Sequence, residues 1–180
     1  MEKPVSFKNE IVRTCQDTVN AKGRFSIQYH TGHKKESLHG KFDWKQTLDY
    51  TVITLFSPLG QTVARIEVSP EMTTFVSPGH SPRSADNAEE LIRSELGWTL
   101  PVSGLRDWLQ GCATDMQGHA FVATPVSKQV ITNDGWQINY VTWSEASSVP
   151  LPKRIDLTKG SHDTRDVDIQ LKLVIDEWDF

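Results

Sequence analysis

Apolar residues recur every four positions at the start of the chain. Phe7, Ile11, Cys15 and Val19 form one stripe on a polar segment, the spacing of an amphipathic helix over 5–20. Lys22-Gly23 then reads as its stop. The period switches to two. Phe25, Ile27 and Tyr29 alternate with Arg24, Ser26, Gln28 and His30. After a turn at Thr31-Gly32-His33-Lys34, Leu38, Gly40, Phe42 and Trp44 alternate with His39, Lys41, Asp43 and Lys45. These are two half-buried strands of an antiparallel hairpin. Gly40 inside the second suggests a bulge or bend. Further strands are expected near 49–56, 61–69 and 72–77, with Ala64, Ile66 and Val68 on one side of the middle one.

Residues 77–84 are rich in Ser, Pro and Gly and read as a loop. Asp86 with Glu89 has capping-box spacing, and Ala88, Leu91, Ile92 and Leu96 give the helix that follows its apolar stripe up to Gly97. A second short helix starts near Pro101 and Ser103, shows Leu105, Trp108 and Leu109 on one face, and stops at Gly111. Strand patterns then return. Asn133-Asp134-Gly135 separates 128–132 from 136–143 as a hairpin turn. Strands follow near 153–159, after Pro150-Leu151-Pro152, and near 165–178.

Helix, five strands, two helices and then several strands is not βαβ alternation. The pattern predicts a mainly β, α+β fold of one domain spanning 1–180. An antiparallel sheet of this many strands curls into an unclosed barrel, with the helices at about 86–111 as lid or plug.

Composition narrows the function. The chain has 180 residues, 37% hydrophobic and 23% charged, with net charge −4. That balance argues against a nucleic-acid binder and against a polybasic membrane-surface patch. Val52–Phe56 is typical of the longest apolar runs, far short of the ~18 residues of a membrane-spanning helix. The first residues have no apolar core of a signal peptide, so the protein is either cytoplasmic or its export signal lies outside this chain. Two cysteines, Cys15 and Cys112, are neither a disulfide framework nor a zinc spacing; a single bridge between them stays open in an oxidising compartment.

Chemistry-bearing motifs are missing. The sequence holds no P-loop, nucleophile elbow, zincin or dinucleotide fingerprint, and no nucleophile–base pair, so neither enzyme nor cofactor is expected. His30, His33 and His39 read more simply as solvent-facing side chains than as a metal site.

Two features stand out. Six tryptophans, at 44, 98, 108, 136, 143 and 178, serve either an ordinary core or a large apolar cavity. Ser57-Pro58-Leu59-Gly60 has turn spacing that puts Leu59 at the tip, where polar residues are usual. That leucine either folds back on the sheet or is presented outward.

Several short motifs in order carry a resemblance. They are Gly23-Arg24-Phe25, Phe42-x-Trp44, Pro58-Leu59-Gly60, the run 87–92, Leu100-Pro101 with Leu105-Arg106-x-Trp108-Leu109-x-Gly111, Gly135-Trp136-x-Ile138-x-Tyr140, Leu151-Pro152 and Trp178. With these the sequence resembles the LolB outer-membrane lipoprotein receptors of Gram-negative bacteria. The resemblance implies an unclosed barrel with a helical lid and an apolar interior. It implies partners: a LolA-type periplasmic carrier, triacylated lipoproteins and the outer-membrane bilayer. It implies a lipid-anchored protein at the periplasmic face, although Cys15 follows Val12-Arg13-Thr14 and no lipobox. Leu59, flanked by Pro58 and Gly60, matches the family's membrane-delivery loop. A monomer is expected.

Exposing lipid chains to water costs about 0.8 kcal/mol per CH₂, so a carrier or receptor must shield them throughout. With no nucleotide site, transfer must run downhill in affinity. Periodicity puts Phe42, Trp44, Trp136, Ile138 and Tyr140 on the sheet side of an acyl-chain cavity, faced by Leu91, Ile92, Leu105 and Trp108 from the lid. The rival expectation is a soluble periplasmic carrier of fatty-acyl or other hydrophobic ligands without membrane delivery.

Overall fold

A computed structural model describes residues 13–31, 33–145, 148–160 and 169–180. Six strands come first: β1 (Val19–Thr31), β2 (Lys34–Gln46), β3 (Thr51–Phe56), β4 (Thr62–Val68), β5 (Thr73–Val76) and β6 (Arg83–Ala85). Two helices follow, α1 (Ala88–Leu96) and α2 (Val102–Trp108). The rest is β7 (Cys112–Thr114), β8 (Ala120–Val122), β9 (Gln129–Ile131), β10 (Gln137–Ser144), β11 (Leu151–Lys159) and β12 (Ile169–Asp179).

Ten strands make one sheet in the order β6-β5-β4-β3-β2-β1-β12-β11-β10-β9, while β7 and β8 pair separately. Among the described residues every ladder is antiparallel. Two meanders are joined by β1 against β12, so the first and last strands sit together at the centre. The outer strands β6 and β9 are edges, and the sheet is not closed. Alternation decides its two faces. Val19, Ala21, Phe25 and Ile27 are buried along β1, as are Phe42 and Trp44 along β2 and Leu171, Leu173 and Ile175 along β12.

Four local expectations change. Residues 13–18 are not helical, and β1 already begins at Val19; residues 1–12 lie outside the described residues. Val19 belongs to the period-two row with Ala21, Phe25 and Ile27, a row masked in sequence because Ala21 and Gly23 are small. Gly23 is therefore no helix stop but an interior strand residue. Gly40 makes no bulge, since the β1–β2 register runs through it unbroken; it leaves room for the Phe25 ring, 3.1 Å from where its Cβ would stand. Asn87, not Asp86, caps α1, its side chain accepting from the Glu90 N–H at 3.0 Å.

The remaining boundaries agree closely. Arg83–Ala85 at the end of the expected loop pairs with β5. The last strand begins at Ile169, and 161–168 lie outside the described residues. At the Asn133-Asp134-Gly135 turn, Thr132 N–H donates to Trp136 O at 2.9 Å and Gly135 N–H to Thr132 O at 3.0 Å.

Candidate functional site

The concave face of the sheet is mainly apolar, with Gln46, Thr51 and Thr73 as buried polar exceptions, and the two helices cover it. Between them lies a small void of about 20 Å³, bounded by Phe25, Phe42, Trp44, Ile53, Leu55, Leu171 and Leu173 from the sheet and Trp98, Leu100, Leu105 and Leu109 from the lid side. That is room for about one water. At this level the interior is filled by its own side chains.

Of the nine residues read as cavity-lining, Phe42, Trp44 and Leu105 bound this void. Leu91 and Ile92 lie on the buried face of α1, which rests on β5 and β6. Trp108, Trp136, Ile138 and Tyr140 are buried in a neighbouring group. There the Trp108 and Trp136 ring centres are 6.3 Å apart, and the Tyr140 hydroxyl donates to the Trp108 carbonyl at 2.6 Å. Burial drives the Tyr140 pKa upward, so the hydroxyl keeps its proton and stays a donor. The reading missed Phe25, Ile53, Leu55, Leu171, Leu173, Trp98, Leu100 and Leu109. Strand alternation marks the first five as inward-facing; nothing in periodicity says that Trp98 and Leu100, between the helices, turn in.

The two helices are held differently. Arg106 of α2 binds the β2–β3 turn, donating to Thr51 Oγ1 at 2.6 Å and to the Leu48 carbonyl at 2.9 Å. Gln110, just past α2, exchanges bonds with the backbone of Gln16 at 2.8 and 2.9 Å. Cys15 and Cys112 form a disulfide, answering the question the sequence left open. Arg13, in the same N-terminal strap, donates to the Pro150 and Ala123 carbonyls, each at 2.8 Å, and lies over the Trp143 ring at 5.1 Å. By contrast α1 has its apolar face, an Arg83–Glu95 ion pair at 3.2 Å and Glu89 accepting from Ser103 at the start of α2. Partly exposed ion pairs of that kind contribute about 0–1 kcal/mol.

The Ser57–Gln61 connection between β3 and β4 is a tight turn. Gly60 N–H donates to Ser57 O at 2.9 Å and Ser57 N–H to Gln61 O at 2.8 Å. Gly60 has φ 87°, the left-handed geometry that closes a three-residue hairpin. Leu59 is 92% exposed at its tip. It is presented outward rather than folded back.

Among the described residues no group of three His, Cys, Asp or Glu side chains could hold a metal ion. No helix of the described residues is long and apolar enough to cross a membrane.

A family model described as outer membrane lipoprotein LolB matches residues 17–178. The chain belongs to the LolB family. An outer-membrane lipoprotein LolB from Cupriavidus pinatubonensis is 36% identical over 160 residues, covering 86% of this chain and 76% of its own. One from Stutzerimonas stutzeri is 33% identical over 145 residues, covering 80% and 67%. Among solved structures, a LolA superfamily protein from Nitrosomonas europaea aligns with TM-score 0.48 and 8% identity, over 93% of this chain and 87% of its own. The LolB match takes in the void, both helices and the Leu59 turn. Arg13 and Cys15 stand just outside it.

Proposed function

We propose that the protein is an outer-membrane lipoprotein receptor. It accepts triacylated lipoproteins from a LolA-type periplasmic carrier and places them in the outer membrane. It acts there as a lipid-anchored monomer at the periplasmic face. The observation that carries this reading is a mainly apolar sheet interior roofed by helices in an unclosed sheet, in a LolB-family chain. Membership of that family supports the receptor role.

The filled interior constrains the mechanism. A void of about 20 Å³ admits no acyl chain, so the lid side chains must yield before cargo enters. Phe42, Trp44 and Leu105, with the other residues around the void, then meet the chains first. Acyl chains replace apolar side chains against the same sheet wall, and net affinity is a difference between two burials. Such a site binds without trapping, as a downhill relay without nucleotide requires. Leu59 would deliver rather than hold, since one buried leucine contributes about 1.5–3 kcal/mol.

The test is transfer. A LolA-type carrier loaded with a labelled triacylated lipoprotein is mixed with the protein, and the label is followed by pull-down and then into liposomes. Stoichiometric movement to the protein and onward supports the receptor. No movement, while a fluorescent fatty acid still binds, would leave a soluble hydrophobic-ligand carrier. Leu59→Glu is expected to keep the fold and cargo acceptance and to slow the liposome step; wild-type delivery by that variant would remove Leu59 from the mechanism.

A further inference from the structure

The convex face of the sheet gathers cations beside the Leu59 turn. Lys41 on β2 stands opposite Arg24 on β1, and Arg24 opposite Val174 on β12, which pairs in turn with Arg154 on β11. In the next row His39 and Lys172 flank Ser26. These side chains line one open groove of about 440 Å³, and Pro58 of the Leu59 turn lines it as well.

The charges do not cancel. Arg24 holds Asp176 through Nε and Nη2 at 3.1 and 3.0 Å, and Arg154 holds Asp156 in the same bidentate way. Their side chains remain 58% and 41% exposed. The Lys41 and Lys172 side chains make no hydrogen bond or ion pair with another described residue, although Asp156 stands across the β11–β12 ladder from Lys172. Four cations thus face two carboxylates in a chain whose net charge is −4. The acidic total argued against a basic patch, but a total carries no information about which strands the fold sets side by side.

We propose that this groove docks on anionic phospholipid headgroups as the Leu59 tip enters the bilayer; the proposal rests on reading Leu59 as the membrane-facing tip. Two chemistries adjoin in one surface. The leucine suits the acyl region, and the cations suit the phosphodiester plane beside it. Each cation brought to an anionic surface strengthens binding by about fivefold, and this attraction is screened by salt. Vesicle contact alone would give an apolar tip no preference for anionic lipid, so the groove adds a selectivity that Leu59 lacks.

The experiment is flotation of the empty protein with vesicles of phosphatidylcholine alone and with one third phosphatidylglycerol. Binding is expected to rise at least tenfold with phosphatidylglycerol and to fall back in high salt. K41E/K172E should lose that gain while melting like the wild type, and the milder K41Q/K172Q should lose part of it. Leu59→Ser, which leaves the charge unchanged, should weaken binding to both vesicles and keep their ratio. A wild-type protein indifferent to phosphatidylglycerol overturns the proposal, and so does K41E/K172E with an undiminished gain. If K41E/K172E binds vesicles normally but no longer accepts cargo from the carrier, the groove faces the carrier and the proposal falls. No cargo is needed, so failure here is separate from failure of lipoprotein transfer. A Leu59→Ser variant that binds both vesicles like the wild type also overturns the proposal, because the Leu59 tip is what sets the groove against the bilayer.

Discussion

Gly23 and Phe42 face each other across the β1–β2 ladder, and the ring lies over the glycine. The pair is mirrored two residues on, where Phe25 lies over Gly40. A Cβ on residue 23 would stand 2.0 Å from the Val174 carbonyl oxygen and 3.0 Å from the Phe42 ring. The carbonyl belongs to the β1–β12 seam that joins the two meanders, and backbone there cannot give way without loosening the ladder.

Gly23→Ala is therefore expected to destabilise the protein by at least the 1–3 kcal/mol typical of overpacking. Urea unfolding followed by tryptophan fluorescence measures it. A midpoint equal to the wild type would mean that the seam is softer than its geometry.

The unequal fastening of the helices predicts unequal exchange. Backbone amides of α1 should exchange faster than those of α2 in the empty protein. Arg106→Ala should bring α2 toward the rate of α1 and lower stability by about 1.5–3 kcal/mol, the range for charged hydrogen bonds. Hydrogen exchange with mass spectrometry reads both, and equal protection of the two helices in the wild type would refute the distinction.

The Cys15–Cys112 bridge spans 97 positions and ties the N-terminal strap to the end of the lid. Chain-entropy arguments give such a loop up to about 5 kcal/mol, with typical disulfides at 2–4. Cys15→Ser with Cys112→Ser should lower Tm by roughly 5–15 °C. Scanning calorimetry of the double variant decides, and a shift of under two degrees would make the bridge dispensable.

Asp107 sits at the surface of α2, and its pH dependence follows from its surroundings. Partial burial of the carboxyl raises it above the ordinary range; the nearby Arg106 opposes the rise and Asp17 adds to it. The folded state thus holds the proton more tightly than the unfolded chain. The penalty on the ionised form is fully present above the folded pKa and vanishes as pH falls below the unfolded value. Asp107→Asn should raise Tm at neutral pH and leave it unchanged near about pH 3. A variant less stable than the wild type at pH 7 would reverse the sign.

Legibility in the sequence followed the physics of each signal. Strand alternation is written in adjacent residues, so both faces of β2 and of β1 from Arg24 onward, and one side of β4, could be read directly. The α1 and α2 stripes were equally plain. Small residues defeated the reading at Ala21 and Gly23, where a strand looked like the end of a helix. Only Phe42, Trp44 and Leu105 of the void's lining were named from sequence, because alternation gives an inward face without saying which of its residues meet the lid. Trp98 and Leu100 had no period to betray them. The basic groove was invisible for a related reason: Lys41, Arg24, Arg154 and Lys172 are neighbours only through strand order. Leu59 was the opposite case, a turn whose Pro and Gly fixed where the leucine must stand.

The edges at β6 and β9 carry one more consequence. In a closed barrel, strand number and shear fix the circumference, and the bore cannot change without breaking ladder hydrogen bonds. This sheet has no such quantised girth. It can uncurl by small changes in the twist between neighbouring strands while every rung stays intact. Enlarging the bore for a guest then trades apolar contact for apolar contact, and the backbone, the stiffest part of the molecule, is left out of the exchange.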